Sequence, residues 1–316
     1  LSYYTASMAL ADNEWQDEGD KPMFATGVLV RTLTYAVTHP IEYTKVLIQI
    51  GYEPLPAYTT KTLFGRPAMA LPNVFRYMKY IRKTEGYLGL FRGFGPRLCE
   101  NFATSAVCDH VMSKIRIEKK VASQDGSSQE SDKEDKEFIP YCHDMMEEIV
   151  GRCIAVMICH PLHVVMVRSM SQFVGKETHY QGFFSPLREI YKENGVLGYF
   201  SGLVPRIIGE ACCLFSAHML IFAINHYLVP SGDARALTRS ICQFLASTLT
   251  YPFVVVSNTM AVSGSRVAAG QPPNMPIYIS WIDCWEHLQS INQLKRGSSL
   301  LWRPYPSQAV LIPQGS

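Results

Sequence analysis

The stretch EGYLGLFRGFGPR (Glu85–Arg97) returns about 109 positions later as NGVLGYFSGLVPR (Asn194–Arg206). Seven positions coincide, and they hold mainly glycine, proline and large apolar residues, which set turns and packing. The coinciding pairs are Gly86/Gly195, Leu88/Leu197, Gly89/Gly198, Phe91/Phe200, Gly93/Gly202, Pro96/Pro205 and Arg97/Arg206. A match of this density indicates an internal repeat, so the chain is built from copies of one unit.

Each copy follows an apolar helix that contains a proline. The proline segments read THPIEYTKV at 38–46, CHPLHVVMV at 159–167 and TYPFVVVSN at 250–258, so a third repeat is present. A proline inside a helix removes a hydrogen bond and bends the helix axis. We therefore interpret the prolines as helix kinks and the repeated glycines as tight turns, namely Pro40, Pro161, Pro252, Gly86, Gly93, Gly195 and Gly202.

The third repeat keeps the order of the first two but stops early. The segment YISWIDCW (Tyr278–Trp285) takes the place of a short amphipathic helix, and we align Trp302 and Arg303 with Phe91 and Arg92. Only 12 residues then remain, whereas a membrane-spanning helix needs about 20. We therefore expect five full spans and no sixth helix.

Composition and hydropathy place these helices in a membrane. The chain of 316 residues is 18% charged, whereas an average soluble domain is about 25% charged. Apolar segments with scattered polar residues are typical of spans whose polar groups face a wet interior. Five such segments occur, at 23–50, 96–112, 149–170, 205–228 and 240–262. The net charge of +2 gives no support for nucleic-acid binding.

These features divide the chain into six parts. They are an acidic N-terminal tail at 1–22, repeat 1 at 23–112, a charged disordered linker at 113–140, repeat 2 at 141–230, a truncated repeat 3 at 231–304 and a C-terminal tail at 305–316. The linker contains SQDGSSQESDKEDKE, which has no aromatic or aliphatic side chain. A segment of this composition cannot bury a core, so we expect disorder.

The residues LPNVFRYMKYIRKTEG at 71–86 have the pattern of an amphipathic helix. Val74, Phe75, Met78 and Ile81 fall on one face, and basic residues fall on the other. This pattern is typical of a helix that lies on a membrane surface. A surface helix of a soluble domain is the alternative.

The three-repeat design resembles the mitochondrial carrier family. Members of that family carry a P-x-[D/E]-x-x-[K/R] motif on each odd-numbered helix, followed by a surface helix and a glycine-rich turn. Pro40, Glu42 and Lys45 match this motif in full. The later repeats lack both charges and carry His163/Met166 and Val254/Ser257 in their place. The resemblance therefore extends over most of the chain, but the ring of gate ion pairs is reduced to one.

The even-numbered helices also lack the second gate motif of the family, since Asp109 is followed by Met112 where a base belongs. The chain thus resembles a non-transporting branch, the mitochondrial carrier homolog proteins of the outer membrane. This resemblance implies an all-α membrane protein, a carrier-like three-repeat helical bundle with five full spans and the sixth helix missing. It also implies short amphipathic surface helices and a polar groove that opens laterally to lipid.

The resemblance further implies an insertase for α-helical proteins, including tail-anchored proteins, in the mitochondrial outer membrane. Phospholipid scrambling through the same groove and binding of a pro-apoptotic BH3-type protein are also implied. The expected partners are membrane lipids and helical substrates, without nucleic acid, cofactor, metal or enzyme activity. Two alternatives stay open: a receptor or scaffold for apoptosis regulators without intrinsic activity, and a solute carrier of the inner membrane.

Ionisable and amide groups within the spans are the candidates for a hydrated path, because such groups are costly in hydrocarbon unless paired or wetted. We expect the groove to be lined by Glu42, Lys45, Glu100, Asp109, His163, Arg168, Glu210, Asn225 and Asn258. Further candidates are Asn101, Arg152, His160, His218 and Gln243. Glu210, which lies one turn inside the fourth predicted span, is the first choice. Glu42 and Lys45 could instead pair with each other.

Two arginines and one histidine cluster have other interpretations. Arg97 and Arg206 each follow a proline at a helix start, where we expect contacts with lipid headgroups. The neighbours Cys159, His160 and His163 do not predict a metal site, because a proline interrupts the local geometry and no fourth ligand is evident.

Overall fold

The computed structural model describes residues 21–61, 67–122, 135–178, 180, 182, 184–227 and 232–305. Nine α-helices and one small sheet form within these residues. The helices are α1 (Lys21–Gln49), α2 (Val74–Gly89), α3 (Phe94–Ala122), α4 (Asp135–Ser171), α5 (Phe184–Asn194), α6 (Leu203–Tyr227), α7 (Gly232–Leu249), α8 (Tyr251–Val262) and α9 (Trp281–Ser290). Short 3₁₀ turns occur at Val196–Phe200 and Ala268–Gly270.

Helical segments lie at all five positions where spans are predicted, namely α1, α3, α4, α6 and the pair of α7 with α8. In the described residues, Ile139–Ser171 and Val196–His226 are long and apolar enough to cross a membrane. The pair Leu237–Leu249 and Tyr251–Val262 bends by 54° and would add a third if it forms one broken span. Membrane crossing by α1 and α3 stays a prediction.

The three repeated prolines lie in different helical contexts. Pro40 and Pro161 lie inside α1 and α4, and both helices continue past them. In the third repeat the helix breaks at Thr250, so Pro252 lies in the first turn of α8. A proline is well tolerated there, because its missing N–H would have no partner within the helix.

A small antiparallel sheet accompanies the helices and was not predicted from the sequence. Strand β1 (Tyr58–Lys61) pairs with β2 (Pro67–Leu71), and β2 pairs with β3 (Arg303–Pro304). The buried Arg303 side chain donates to the Pro72 carbonyl at 2.8 Å and forms an ion pair with Glu53. The segment after α9 is therefore attached to the connection between α1 and α2.

Helix α2 buries most of the predicted apolar face, with Tyr77 in place of Phe75. Val74, Tyr77 and Ile81 are at most 1% exposed, whereas Phe75 is 54% exposed. Their spacing is that of one helix face, and they belong to the main protein core. The predicted amphipathic helix is confirmed, and its apolar face packs against protein. Its position at a membrane surface stays a prediction.

The predicted linker is shorter than the sequence suggested. Helix α3 continues to Ala122 and α4 begins at Asp135, so both ends of the range 113–140 are helical. The centre of that range lies outside the described residues, as do most of the two predicted tails.

Contacts divide the described chain into two compact units. Unit 1 contains Glu100–Cys159 and Arg206–Thr250, and unit 2 contains Lys21–Cys99, His160–Pro205 and the chain from Tyr251 onward. Unit 2 holds the main apolar core, to which the residues of α1, α2, α4 and α8 contribute. Unit 1 has a small core of Met145, Ile149 and Leu214.

Candidate functional site

In unit 2 the residue before the repeated proline makes the same hydrogen bond in repeats 1 and 2. His39 Nε2 lies 3.1 Å from the Arg92 carbonyl oxygen, and His160 Nε2 lies 3.0 Å from the Ser201 carbonyl oxygen. Both acceptors directly precede a glycine of positive φ. The proline helix and the glycine turn of each repeat are therefore joined by one conserved geometry within the chain.

The third repeat has the same contact at a turn that the sequence alignment missed. The Tyr251 hydroxyl donates to the Arg296 carbonyl at 3.0 Å. Arg296 precedes Gly297, which has a φ of +79°. The alignment of this turn with residues 302–303 is therefore wrong. The positive-φ positions Asn292 and Gly297 are two residues closer together than their counterparts in the other repeats, which hid the match.

The three glycine turns link repeat 1 to repeat 2, repeat 2 to repeat 3 and repeat 3 back to repeat 1 within unit 2. We call this arrangement the ring of turns. A β-carbon on Gly93 of repeat 1 would lie 2.9 Å from the Met170 side chain of repeat 2. A β-carbon on Gly202 of repeat 2 would lie 2.4 Å from the Ser257 carbonyl oxygen of repeat 3. A β-carbon on Gly297 of repeat 3 would lie 3.2 Å from the Ile48 side chain, at the end of α1 in repeat 1. Each turn thus packs against the proline helix of the next repeat.

Only repeat 1 keeps an ion pair at the gate positions of the carrier motif. Lys45 Nζ lies 3.7 Å from Glu42 Oε1 on the same helix, and the side chains are 16% and 22% exposed. An i,i+3 pair of this kind contributes about 0.5 kcal/mol. Lys45 also lies over the Tyr251 ring at 5.9 Å. The pair is local to α1, so it does not join one repeat to another.

Uncharged side chains join the proline helices of the three repeats instead. His163 Nε2 lies 3.0 Å from Asn258 Oδ1, and Asn258 Nδ2 donates to Gln49 Oε1 at 2.7 Å. Gln49 Nε2 donates to the Tyr251 hydroxyl at 2.9 Å. We call these four residues the polar relay. Because Gln49, His163 and Asn258 are at most 7% exposed, the relay is a buried network that rigidifies this part of unit 2. The groove assignment of His163 and Asn258 is therefore wrong, because their polar atoms bond within the protein.

Arg168 is fully buried in a structural network of unit 2. Its Nε donates to the Ala261 carbonyl at 2.9 Å, and its Nη1 lies 3.2 Å from Glu193 Oε2 and 3.0 Å from Asn194 Oδ1. The Tyr180 hydroxyl donates to the same carboxylate at 2.7 Å. A guanidinium at 0% exposure does not line a hydrated surface, so the groove assignment of Arg168 is wrong.

The two arginines expected at lipid headgroups are also buried. In unit 2, Arg97 is 5% exposed, and its Nη1 lies 3.2 Å from His39 Nδ1. In unit 1, Arg206 is 8% exposed, and its Nη2 lies 2.6 Å from Glu100 Oε1. A buried guanidinium requires partners inside the protein. These contacts replace the headgroup contacts that the sequence predicted.

Arg206 begins a row of ionisable residues on α6 in unit 1. Glu210 Oε2 lies 3.7 Å from Arg152 Nε, and His218 Nε2 lies 3.1 Å from Glu148 Oε2. Positions 206 and 210 on α6 are four residues apart, and 218 follows eight residues later, so the three lie along the i, i+4 ridge of the helix. We call the three ion pairs, Arg206–Glu100, Arg152–Glu210 and His218–Glu148, the ion-pair row.

The ion-pair row becomes more exposed along α6. The Arg206 and Glu100 side chains are 8% and 7% exposed, Arg152 and Glu210 are 12% and 17% exposed, and His218 and Glu148 are 21% and 35% exposed. Glu210 therefore has a base on α4, Arg152, at 3.7 Å. The other two groove candidates of unit 1 are Asp109, which is exposed, and Asn225, which is half-buried.

Sequence reasoning missed several residues that complete these networks. Among them are Gln49 in the polar relay, Glu193 beside Arg168 and Glu148 in the ion-pair row. Glu148 could have been found, because it lies one helical turn before Arg152 and hence on the same helix face. Gln49 and Glu193 gave no such local signal.

The predicted absence of a metal site is not tested by the structure. His160 and His163 each direct Nε2 toward a protein oxygen, as described above. Among the described residues, His143, Asp144 and Glu147 have donor atoms within 4.8 Å of one another. They lie on a largely exposed part of α4, and His143 Nδ1 already lies 2.8 Å from Glu147 Oε1.

Burial shifts the pKa of two charged groups at the glycine turns. Burial raises the pKa of the Glu85 carboxyl, and the Arg92 guanidinium, 2.7 Å away, opposes this shift. Burial lowers the pKa of Arg296, whose Nε donates to the Gln49 carbonyl at 2.6 Å. Arg296 thereby satisfies a carbonyl at the C-terminal end of α1, which has no partner within the helix.

The fold and the ring of turns define a three-repeat helical membrane protein of carrier design. The sequence pattern of the mitochondrial carrier protein family matches residues 22–116 and 140–229. Mitochondrial carrier homolog 2 of Homo sapiens is 38% identical over 287 residues, which cover 89% of this chain and 94% of that protein. Mitochondrial carrier homolog 1 of Mus musculus is 39% identical over 292 residues, which cover 85% of this chain and 73% of that protein.

Solute carrier family 25 member 16 of Bos taurus is 31% identical over 258 residues, which cover 75% of this chain and 73% of that protein. The chain belongs to the mitochondrial carrier protein family and, within it, to the mitochondrial carrier homolog proteins. It is therefore a mitochondrial membrane protein of helical, three-repeat architecture. The resemblance found in the motifs is confirmed.

Proposed function

We propose that the protein inserts α-helical membrane proteins, including tail-anchored proteins, into the mitochondrial outer membrane. We also propose that phospholipids cross the bilayer along the same hydrated path. The observation that carries the proposal is the ion-pair row of unit 1. Its members lie on α3, α4 and α6, and the last two belong to the segments with the length and composition of membrane spans.

Charged groups in hydrocarbon are costly unless they are paired or hydrated. The Arg152–Glu210 and His218–Glu148 pairs of the row are partly exposed, so water or polar ligand groups can reach them. A substrate whose polar flank must cross a hydrocarbon core of about 30 Å needs a hydrated surface of this kind. The row supplies such a surface without covalent chemistry, and lipid headgroups have the same requirement as a polar peptide flank.

The gate positions of unit 2 do not favour the alternative of a solute carrier. A carrier opens and closes its two ends in turn, and the family motif does so with ion pairs between repeats. Here the ion pair of Glu42 with Lys45 stays within one helix, and the polar relay holds the repeats together through buried, uncharged groups. An insertase does not require this end to open.

The experiment uses the full chain in liposomes and measures protease-protected insertion of a tail-anchored protein. Arg152→Glu and Glu210→Arg each place like charges where an ion pair 3.7 Å long exists. We expect both single variants to lower insertion and the double variant to restore it, because the double variant rebuilds the pair. Glu189→Arg is the control, since Glu189 pairs with Lys192 on exposed α5.

Dithionite quenching of labelled lipid in the same liposomes measures scrambling separately. If neither insertion nor quenching exceeds that of empty liposomes, the insertase proposal is wrong. A receptor or scaffold for apoptosis regulators then becomes the better hypothesis, and binding of a BH3-type peptide to the liposomes tests it. Protease accessibility in intact mitochondria tests the outer-membrane assignment.

A further inference from the structure

The Arg152–Glu210 pair of unit 1 differs in geometry from its neighbour in the ion-pair row. Arg206 Nη2 lies 2.6 Å from Glu100 Oε1, a hydrogen bond between side chains that are at most 8% exposed. Arg152 Nε lies 3.7 Å from Glu210 Oε2, a distance too long for a hydrogen bond, and these side chains are 12% and 17% exposed. We call Arg152 and Glu210 the loose pair.

Weakly polar side chains lie beside the loose pair. The thiols of Cys153 and Cys213 are close enough to interact electrostatically with both Arg152 and Glu210. A thiol is a weak hydrogen-bond donor and a weak acceptor, so it solvates a charge much less well than water does. Separating the two members of the loose pair therefore requires a new charged or strongly polar partner for each of them.

The ion-pair row alternates basic and acidic groups. Each carboxylate has a basic group beside it, in the pairs Glu100–Arg206, Glu210–Arg152 and Glu148–His218. Arg239 of α7 also interacts electrostatically with Glu148. A ligand of zero net charge leaves this arrangement balanced, whereas an anionic ligand brings a charge of the same sign toward the carboxylates.

A zwitterionic phospholipid headgroup can replace both members of the loose pair at once. Its phosphate accepts hydrogen bonds from a guanidinium, and its positively charged amine pairs with a carboxylate. The phosphate would take the place of Glu210 beside Arg152, and the amine would take the place of Arg152 beside Glu210. No charge is then left unpaired in hydrocarbon. An anionic headgroup without an amine would satisfy Arg152 but leave the Glu210 carboxylate unpaired beside a second negative charge.

We propose that the loose pair binds zwitterionic phospholipid headgroups in preference to anionic ones, by exchanging ion-pair partners with them. The inference rests on the proposed function, in which phospholipids cross the bilayer along the ion-pair row, and it adds the class of lipid that crosses. The net charge of the whole chain is +2 and would favour anionic lipid. A preference for zwitterionic lipid would therefore come from the local arrangement of charges.

The test compares two lipids that differ in their headgroup and carry the same fluorophore on an acyl chain. They are phosphatidylcholine, which is zwitterionic, and phosphatidylglycerol, which is anionic. Each is present in trace amount in liposomes of one composition that contain the full chain, and dithionite quenching gives its rate of crossing. We expect phosphatidylcholine to cross about tenfold faster, because a like charge beside Glu210 raises the barrier for phosphatidylglycerol. Equal rates, or faster crossing of phosphatidylglycerol, would overturn the proposal.

Two variants test whether the loose pair causes the preference. Glu210→Gln removes the repelling carboxylate and keeps Arg152 for the phosphate, so the ratio of the two rates should fall about fivefold. Glu189→Gln is the matched control, since Glu189 pairs with Lys192 on exposed α5, and it should leave the ratio unchanged. The double variant Arg152→Glu with Glu210→Arg retains one charge of each sign and should retain the preference. A ratio that Glu210→Gln leaves unchanged would contradict partner exchange.

A second measurement detects binding without transport and uses otherwise unaltered protein. A photoreactive leucine analogue replaces Cys153 beside the loose pair, and a control carries it at Ile158, which is 59% exposed on the same helix. Mass spectrometry gives the yields of the adducts with the two lipids. We expect the yield ratio of phosphatidylcholine to phosphatidylglycerol at position 153 to exceed that at position 158 about fivefold. Equal ratios at the two positions would overturn the site, whatever the rates of crossing.

The two measurements separate failure of this inference from failure of the proposed function. Selective adducts at position 153 without crossing of either lipid would support the site and contradict lipid transport. Crossing of both lipids at equal rates, without selective adducts, would support lipid transport and overturn the site. If neither crossing nor selective adducts occur, both proposals are wrong.

Discussion

Polar side chains differ in exposure between the two units. In unit 2, the Gln49 and Asn258 amides are 3% and 4% exposed and bond to each other. In unit 1, the side chains of His218 and Glu148 are 21% and 35% exposed although His218 Nε2 and Glu148 Oε2 lie 3.1 Å apart. Buried, satisfied networks specify a rigid structure, whereas partly exposed pairs contribute little stability. The difference indicates that unit 2 holds the repeats together and that unit 1 presents hydrated groups.

The largest expected effect is a loss of stability when a glycine of the ring of turns in unit 2 is replaced. Gly202→Ala should destabilise the protein by about 3–4 kcal/mol, since it adds a β-carbon 2.4 Å from the Ser257 carbonyl and forces a φ of +78° on alanine. Titration with SDS in mild detergent measures the free energy of unfolding. Gly195→Ala, with a φ of +65° and open space, should cost only about 1 kcal/mol. Equal costs would contradict the ring packing.

Arg168→Leu should destabilise the protein by about 3 kcal/mol, because it leaves the buried Glu193 carboxylate without its cation. Adding Glu193→Gln to the variant should recover part of the loss. The same SDS titration measures both. Lys192→Leu removes a cation from an exposed pair and serves as the control. If both substitutions cost the same, Arg168 is not held in a buried network.

Asn258→Leu should cost about 2 kcal/mol, because it leaves two buried polar partners, His163 and Gln49, without the amide between them. Gln289→Leu, on the exposed side of α9, is the matched control and should change the unfolding free energy little. Unfolding is followed by tryptophan fluorescence in detergent. A cost no greater than that of the control would mean that the polar relay does not stabilise unit 2.

Glu210→Gln should separate stability from activity. The Arg152–Glu210 pair is 3.7 Å long and partly exposed, so its loss should cost at most about 1 kcal/mol. Insertion in liposomes should nevertheless fall, because the substitution removes a charge from the ion-pair row. A large loss of stability with normal insertion per folded molecule would reverse the roles assigned to the two units.

Glu42→Gln should have the smallest effect, about 0.5 kcal/mol, because its partner Lys45 is one turn away on the same partly exposed helix. Thermal unfolding in detergent at low and high salt checks this, since a surface pair is screened by salt. A cost above about 2 kcal/mol would show that Glu42 takes part in a buried network.

The overall fold was largely predictable because its signals are repeated and local. Positive-φ glycines such as Gly86 and Gly195 recur with their flanking apolar residues, and the helices lie where the spans were predicted. The candidate site was less predictable. Glu210 and Asn258 lie within helices as expected, but Asn258 is buried, and the partners Arg152 and Gln49 come from distant segments. The laterally open groove stays a prediction.

The sequence by itself determined the three repeats, the carrier family and the reduction of the gate to one ion pair, because motifs and turn residues depend on neighbouring positions. Only the tertiary structure decided which charges are exposed and which are buried. Arg168 and Arg152 both lie within the predicted span at 149–170, yet Arg168 is fully buried in a network of unit 2 and Arg152 is partly exposed in the ion-pair row of unit 1. A side chain's burial depends on what other helices bring to it, and no local pattern records those neighbours.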